Sequence, residues 1–205
     1  AGRSAWAPIS ICSARQPNCR NAIEPLLHSL ENDEHYTVRA ASAVALANLG
    51  DVDVLPYVIR QGGVDSDEFV REEAKRALRK FRREQALAFV VSAAGDDDSR
   101  IRKVAIEYLI ETPSSAADLV LIRALADTAE IAQLARKAID ALPPDRGIEV
   151  LRTAIGHRDA NVRKAAVEAL QAMGTPQAAE AILDLFKQHD LEFENVRAAT
   201  RVALR

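Results

Sequence analysis

The chain has 205 residues, of which 48% are hydrophobic and only 4% are aromatic, and its formal net charge is −3. The apolar content is sufficient for a core, whereas so few aromatic residues argue against a large aromatic ligand cage. The weakly acidic balance gives no electrostatic reason to expect nucleic acid. No run of 18 apolar residues occurs, so no membrane-spanning helix is predicted and the expected location is the cytoplasm.

The elements follow one another along the chain as helix pairs. Residues 1–21 fit no pair and are predicted to be an irregular leading segment, because Pro8 and Pro17 interrupt it. Residues 22–205 are expected to form one repeat domain. The predicted pairs cover 22–49, 53–83 around Gly62-Gly63, 85–112, 116–142 ended by Pro143-Pro144, 146–173 and 177–205.

One motif recurs in the second helix of each pair. It starts with a β-branched residue at positions 38, 70, 101, 131, 162 and 196, which are 30 to 34 residues apart. Small or apolar residues follow at fixed offsets and form one stripe on a helix. Such a period is typical of a solenoid, in which each unit covers the apolar face of its neighbour. The copies begin Val38-Arg39, Val70-Arg71, Ile101-Arg102, Ile131-Ala132, Val162-Arg163 and Val196-Arg197.

Polar residues mark where the motif helices begin. Asp67, Asp98 and Asp159 lie three residues before the β-branched position, and Thr128 has the same place in the fourth copy. These residue types are preferred N-caps, whereas His35 in the first copy is not. The motif Arg residues are expected to pair with acidic turn residues of neighbouring repeats, such as Asp33, Asp65 or Asp97, because a guanidinium fork suits carboxylates and carbonyls.

The motif resembles a known repeat. The pattern Asp-x-x-Val-Arg-x-x-Ala-x-x-Ala-Leu-x-x-Leu/Met-Gly, clearest from Asp159 to Gly174 and from Val38 to Gly50, is similar to HEAT-like repeats of the phycobilisome lyase type. The resemblance covers residues 22–205. It implies an all-α fold, an α-solenoid built as a right-handed superhelix of about six helix hairpins. It implies little about activity, because the same repeat serves adaptors, assembly factors and a few enzymes.

The residues suggest no catalytic centre, metal site or cofactor. The deoxyhypusine hydroxylases, a family of HEAT-like enzymes, bind iron through His-Glu pairs, and this chain has no such pair. Cys12 and Cys19 lack a zinc-binding spacing. The densest basic run, from Lys75 to Arg83, is interpreted as a solvated helix C-terminus, although it would also suit phosphate or an acidic partner.

The apolar segments that precede the motif helices are expected to line the concave surface. At one aligned position they carry Ser29, Arg60, Ser92, Arg123, Ala154 and Leu185. Arg60 and Arg123, two repeats apart, are the candidate partner-binding residues, and they suit a carboxylate-bearing partner. The sequence stops mid-pattern without a polar capping helix, so either the repeat array continues or another chain, a second HEAT-like chain or a second copy, covers that end.

Three functions are compatible with these features. The first is a non-catalytic scaffold or adaptor that holds a protein partner on the concave surface. The second, implied by the resemblance, is a subunit of a phycobilin lyase or a related chromophore-handling factor, with Arg60 or Arg123 near the propionates of a tetrapyrrole. The third is a DNA-binding helical-repeat protein of the alkylpurine glycosylase kind, against which the acidic balance argues.

Overall fold

The computed structural model of the chain describes residues 20–112 and 114–188, which contain α-helices and no β-strand. The prediction of an all-α solenoid of HEAT-like hairpins is therefore confirmed in its fold class. The helices of the described residues are α1 (Ile23–Asn32), α2 (Tyr36–Leu49), α3 (Leu55–Val64), α4 (Glu68–Leu78), α5 (Arg83–Ala93), α6 (Ser99–Glu111), α7 (Ser115–Ala124), α8 (Ala129–Asp140), α9 (Pro144–Ile155), α10 (Ala160–Met173) and α11 (Pro176–Gln188).

Some predicted features lie outside the described residues. They are the leading segment up to residue 19, with both cysteines, and the stretch 189–205, with His189 and the last motif copy at Val196-Arg197. The predictions for them therefore stay predictions.

Most helix boundaries follow from local chemistry. The side chains of Asp67, Asp98 and Asp159 accept the backbone N–H two residues on, as expected of N-caps. Thr128 and His35 are also N-cap residues, but their side chains make no cap hydrogen bond. At the C-terminal ends of α2 and α10 the chain turns through glycines with positive φ, Gly50 at 72° and Gly174 at 62°, a conformation that other residues rarely adopt.

Two predicted breaks differ in detail from the structure. The fourth pair ends at Asp140, before Pro143-Pro144 as predicted, but Pro144 already opens α9, where its missing N–H breaks no helical hydrogen bond. Gly62-Gly63 is not a turn, because α3 continues to Val64 and the turn begins at Asp65. Gly63 instead allows α3 to approach the backbone of α6 closely, because a Cβ at this position would lie 2.8 Å from the carbonyl oxygen of Arg100.

The β-branched motif positions that the structure describes are buried as predicted, except the first. Val70, Ile101, Ile131 and Val162 are each at most 3% exposed. Val38 is 39% exposed, although the later stripe positions of α2, Ser42, Leu46 and Leu49, are buried.

The contacts group into two compact units, Ala1–Ala105 and Ile106–Arg205. Within the first unit, α2 packs on α1 and α4, and the first helices of successive hairpins, α1, α3 and α5, lie side by side. Within the second unit, α7, α9 and α11 are neighbours in the same way, and α10 packs on α9 and α11. In each unit the segments that precede the motif helices therefore form a continuous layer.

Candidate partner-binding surface

Arg60 lies on the exposed face of α3. The helix buries Leu55, Val58 and Ile59, which are at most 1% exposed, so residues between them in the helical cycle face outward. Arg60 is exposed, and Tyr57, three residues earlier on the same face, is 40% exposed. The helical period thus presents a cation beside apolar surface.

A cleft of about 250 Å³ opens between α3 and α5 beside Arg60. Its apolar lining combines buried and half-buried side chains from both helices and from the start of α6. Three polar residues, Arg60, Ser92 and Asp96, complete it. The lining residues are Pro56, Ile59, Arg60, Phe89, Ser92, Ala93, Asp96 and Ile101.

The Arg60 side chain has no hydrogen bond or ion pair among the described residues. The nearby carboxylates are engaged elsewhere: Asp96 Oδ1 accepts the N–H of Asp98, and Asp98 pairs with Arg100 at 2.6 Å. The hydrogen bonds from the side chain and backbone of Arg100 lower the pKa of Asp98 to about 2, and the charge of Arg60 adds to this effect. The Arg60 guanidinium therefore keeps its donors available for a ligand.

Arg123 has the equivalent position on α7, in the second unit. Leu121, Ile122 and Ala124 around it are buried, whereas Arg123 itself is exposed. In the described part of the chain its side chain too makes no hydrogen bond or ion pair. Leu119, one helical turn earlier, is 57% exposed, so α7 repeats the combination of an exposed apolar residue and an uncommitted Arg.

The other aligned positions differ from these two. Ser92 lines the same cleft as Arg60, so the structure brings two of the predicted positions together. Ser29 borders a separate depression of about 390 Å³ at the turn after α1. Ala154 is fully buried and presents nothing to a partner. Leu185 lies in α11, and its side chain is outside what the structure describes.

The motif Arg residues that the structure describes stabilise the turns before their helices. In each case Nη1 donates to the carbonyls six and five residues earlier, at 2.8–3.3 Å, in the turn before its own helix. Pairing with an acidic side chain of the neighbouring repeat is confirmed for Arg39 and Asp65. Asp33 and Asp97 were predicted to pair through their carboxylates. Instead their backbone carbonyls accept hydrogen bonds, from Arg39 and Arg102 respectively, because Nη1 of each Arg points back into the turn before its helix. The residues of this set are Arg39, Arg71, Arg102 and Arg163.

Two cations of the basic run pair with carboxylates of their own helix. Lys75 pairs with Glu72 and Arg76 with Glu73, each three residues apart on α4. Lys80 donates to the side chain of Asn48 at 3.1 Å. These contacts favour the interpretation as a solvated helix end.

Sequence reasoning missed the apolar half of the cleft. Phe89 and Ile101 belong to different helices, and no spacing in the sequence places them beside Arg60. It also missed an exposed aromatic pair, Tyr36 and Phe69, whose rings meet edge to face with centroids 6.0 Å apart. Both lie at the first turn of a motif helix, where polar residues are usual, and that misfit was the only available signal.

A family model described as HEAT repeats matches residues 9–79, 64–143 and 120–205. The chain belongs to the HEAT-repeat family. This confirms the resemblance that the Asp-to-Gly pattern carries. No curated protein matches the chain in sequence.

Several solved structures are similar to this HEAT-repeat protein. Human deoxyhypusine hydroxylase is 21% identical over 90% of this chain and 73% of its own, with a TM-score of 0.37. The complex of CpcE and CpcF of phycocyanin lyase from a Nostoc species matches at 20% identity over 90% and 83%, with a TM-score of 0.36. An engineered protein matches at 21% identity over 90% and 95%, with a TM-score of 0.38.

Two further properties concern residues 20–112 and 114–188 alone. They contain no group of three or more His, Cys, Asp and Glu side chains that could hold a metal ion. None of their helices has the length and apolarity needed to cross a membrane.

Proposed function

We propose that this HEAT-repeat protein is a protein-binding scaffold whose first-helix layers bind protein partners, through Arg60 in the first unit and through Arg123 in the second. The observation that carries the proposal is that both Arg side chains are exposed at equivalent positions and have no hydrogen bond or ion pair within the described residues. A free guanidinium can bind a carboxylate through two parallel hydrogen bonds. Arg is also among the residues that most often dominate the energy of protein interfaces.

An exposed ion pair alone would give little affinity, because water and salt screen it. Each Arg, however, lies beside apolar surface: Arg60 beside the cleft and Tyr57, and Arg123 beside Leu119. A partner that covers this surface removes water from around the ion pair and strengthens it. Packed helices also present these groups in a fixed arrangement, which lowers the cost of ordering on binding.

The size of the cleft favours a protein partner over a chromophore. Its volume of about 250 Å³ is below the range of roughly 300–1,000 Å³ that is usual for sites of drug-sized molecules. A tetrapyrrole is larger than such molecules, whereas a single side chain fits. The proposal keeps two expectations from the sequence, a cytoplasmic location and a second HEAT-like chain or a second copy as a possible neighbour.

The test is a selection of random 12-residue peptides displayed on phage against the immobilised full chain. Enriched peptides are then synthesised, and their affinities are measured for the wild type and for the Arg60→Glu and Arg123→Glu variants. Matched controls are Arg83→Glu in the first unit and Arg158→Glu in the second, because both residues are exposed, do not line the cleft and do not occupy the aligned position of Arg60 and Arg123.

We expect each surface variant to weaken enriched peptides that bind at its Arg by about tenfold or more, while both controls leave affinity unchanged. The proposal is wrong if no peptide is enriched, or if enriched peptides bind both surface variants as tightly as the wild type.

A further inference from the structure

We infer that the cleft between α3 and α5 takes an apolar side chain of an extended partner segment, while Arg60 binds an acidic side chain two residues away in that segment. The inference rests on the proposed function and specifies the chemistry of the partner. It predicts a short recognition motif, acidic-x-apolar or its reverse, with Leu or Phe as the apolar residue.

The lining of the cleft supports the apolar half of the motif. Ile59 and Ile101 are buried beneath it, and Phe89 and Ala93 are half-buried at its α5 side. An apolar cavity of about 150 Å³ is large enough to hold benzene. A cleft of about 250 Å³ therefore has room for the side chain of Leu or Phe, whose burial would supply the main favourable free energy.

The charges around the cleft support the acidic half. Arg60 is its one lining cation, and none of its donors is used within the described residues. Asp96, also in the lining, would repel a carboxylate inside the cleft. The acidic side chain of the partner therefore stays at Arg60, and its apolar side chain enters the cleft. Asp96 and Ser92 carry oxygens that can accept backbone N–H groups of the bound segment.

The spacing follows from helix and strand geometry. Pro56 and Arg60 are four residues apart on α3, which is about 6 Å along the helix axis. In an extended peptide, side chains two residues apart point to the same side and are about 6.6 Å apart. Pro56 and Arg60 both line the cleft, so one intervening residue between the acidic and the apolar side chain matches the rise along the α3 side of the lining.

A carboxylate could come from an Asp or Glu side chain or from the partner's C-terminus. A polypeptide has a single C-terminal carboxylate, whereas Asp and Glu side chains occur at many positions along it. Asp96 and Ser92 also offer acceptors to a segment that continues past the cleft. The inference therefore commits to an internal acidic residue.

The experiment is a titration of the ¹⁵N-labelled full chain with short peptides, followed by amide chemical shifts in NMR spectra, which detect weak binding. The lead peptide is acetylated and amidated, with Glu-Ser-Leu at the centre of a Gly-Ser sequence. Its controls carry Gln-Ser-Leu, Glu-Ser-Ser, or Gly-Ser-Leu with a free C-terminal carboxylate. The protein variants are Arg60→Gln, Ala93→Phe, which fills the cleft, and Arg83→Gln as the matched control.

We expect the lead peptide to shift amides at the α5 end, including Ser92 and Ala93, in a saturable manner. Affinity should fall at least fivefold with either the Gln or the Ser control peptide, and at least fivefold with Arg60→Gln or Ala93→Phe, but not with Arg83→Gln. The free-carboxylate peptide should bind at least fivefold more weakly than the lead. Equal binding of the Gln control or of the Ser control to wild type overturns the motif, and tighter binding of the free-carboxylate peptide overturns the internal source.

The failure of this inference can be separated from the failure of the proposed function. If selected peptides depend on Arg60 but contain no acidic residue two positions from an apolar one, the scaffold stands and the motif is wrong. If neither selected peptides nor the lead peptide depend on Arg60 or Arg123, both are wrong.

Discussion

Arg39 and Asp65 join two successive hairpins through a bidentate ion pair. Nε and Nη2 of Arg39 lie 2.8 and 2.9 Å from the two carboxylate oxygens of Asp65. Only 12% of the Arg39 side chain and 4% of the Asp65 side chain are exposed. Arg39 also donates to the carbonyl of Asp33, and Asp65 accepts the N–H of Asp67, so the pair ties two turns together.

Breaking this pair should destabilise the protein more than breaking a pair on its surface. In Asp65→Asn, the Arg39 charge stays in a poorly solvated position without its partner, so we expect a loss of about 2–3 kcal/mol. Asp98→Asn is the matched control, because its ion pair with Arg100 is more exposed and Asn preserves the N-cap, so its cost should be clearly smaller. Urea unfolding followed by circular dichroism measures both. Equal costs for the two variants would contradict this account.

The same pair should make stability depend on pH in acid. Burial raises the pKa of the Asp65 carboxyl, but hydrogen bonds from Arg39 and from the N–H of Asp67, with the charges of Arg39 and Arg71, outweigh it and hold the pKa below 3.8. A lowered folded pKa stabilises the protein above the unfolded pKa, and this stabilisation is lost as the pH falls through the folded pKa. The difference in unfolding free energy between wild type and Asp65→Asn should therefore be constant from about pH 7 to 5 and shrink below about pH 4. A difference that grows in acid would refute the assignment.

A methyl group at Gly63 should be costly. Its Cβ would lie 2.8 Å from the backbone carbonyl oxygen of Arg100, which cannot move aside as a flexible side chain can, so Gly63→Ala should cost about 1–3 kcal/mol. At Gly95 the nearest atom to an added Cβ is 3.5 Å away and φ is not positive, so Gly95→Ala should be neutral or slightly stabilising. Thermal melting of the two variants compares them directly. A stable Gly63→Ala protein would show that the two backbones are not in contact.

The two kinds of N-cap should respond differently to truncation. The Asp159 side chain accepts the N–H of Asn161 at 2.8 Å, so Asp159→Ala should cost about 1 kcal/mol. Thr128 occupies the same place before α8 but makes no cap hydrogen bond, so Thr128→Ala should cost less than half as much. Chemical denaturation of the two variants provides the measurement. If Thr128→Ala is the more damaging of the two, the cap assignment is wrong.

The repeat could be predicted from the sequence because its determinants are local. The small and β-branched residues at fixed offsets define a helical stripe, and Asp67 and Asp159 act on N–H groups two residues away. Val38 shows where this reasoning ends, since whether a stripe residue is buried depends on what covers it. The turn wrongly predicted at Gly62-Gly63 has a similar cause. These glycines allow α3 to pack closely against α6, and the residues of α3 alone do not show that contact.

The candidate surface was predictable only in part. The position of Arg60 and Arg123 follows from the repeat register, and both proved to be exposed. Within the described residues the Arg60 side chain has no ion pair, and this could not be predicted. It depends on Asp98 pairing with Arg100 and on Asp96 accepting the N–H of Asp98. The cleft likewise arises from two helices whose separation is set by packing rather than by the residues of either one.

The central claim is that the charge of Arg60 selects the partner, and an exchange of charges tests it most directly. The affinities of a Glu-Ser-Leu peptide and of its Lys-Ser-Leu counterpart are measured for the wild type, Arg60→Glu and the control Arg83→Glu. Arg60→Glu should lose at least about tenfold in affinity for the Glu peptide and should bind the Lys peptide more tightly than the wild type does. Arg83→Glu should bind both peptides as the wild type does. Unchanged binding of the Glu peptide to Arg60→Glu would contradict the central claim.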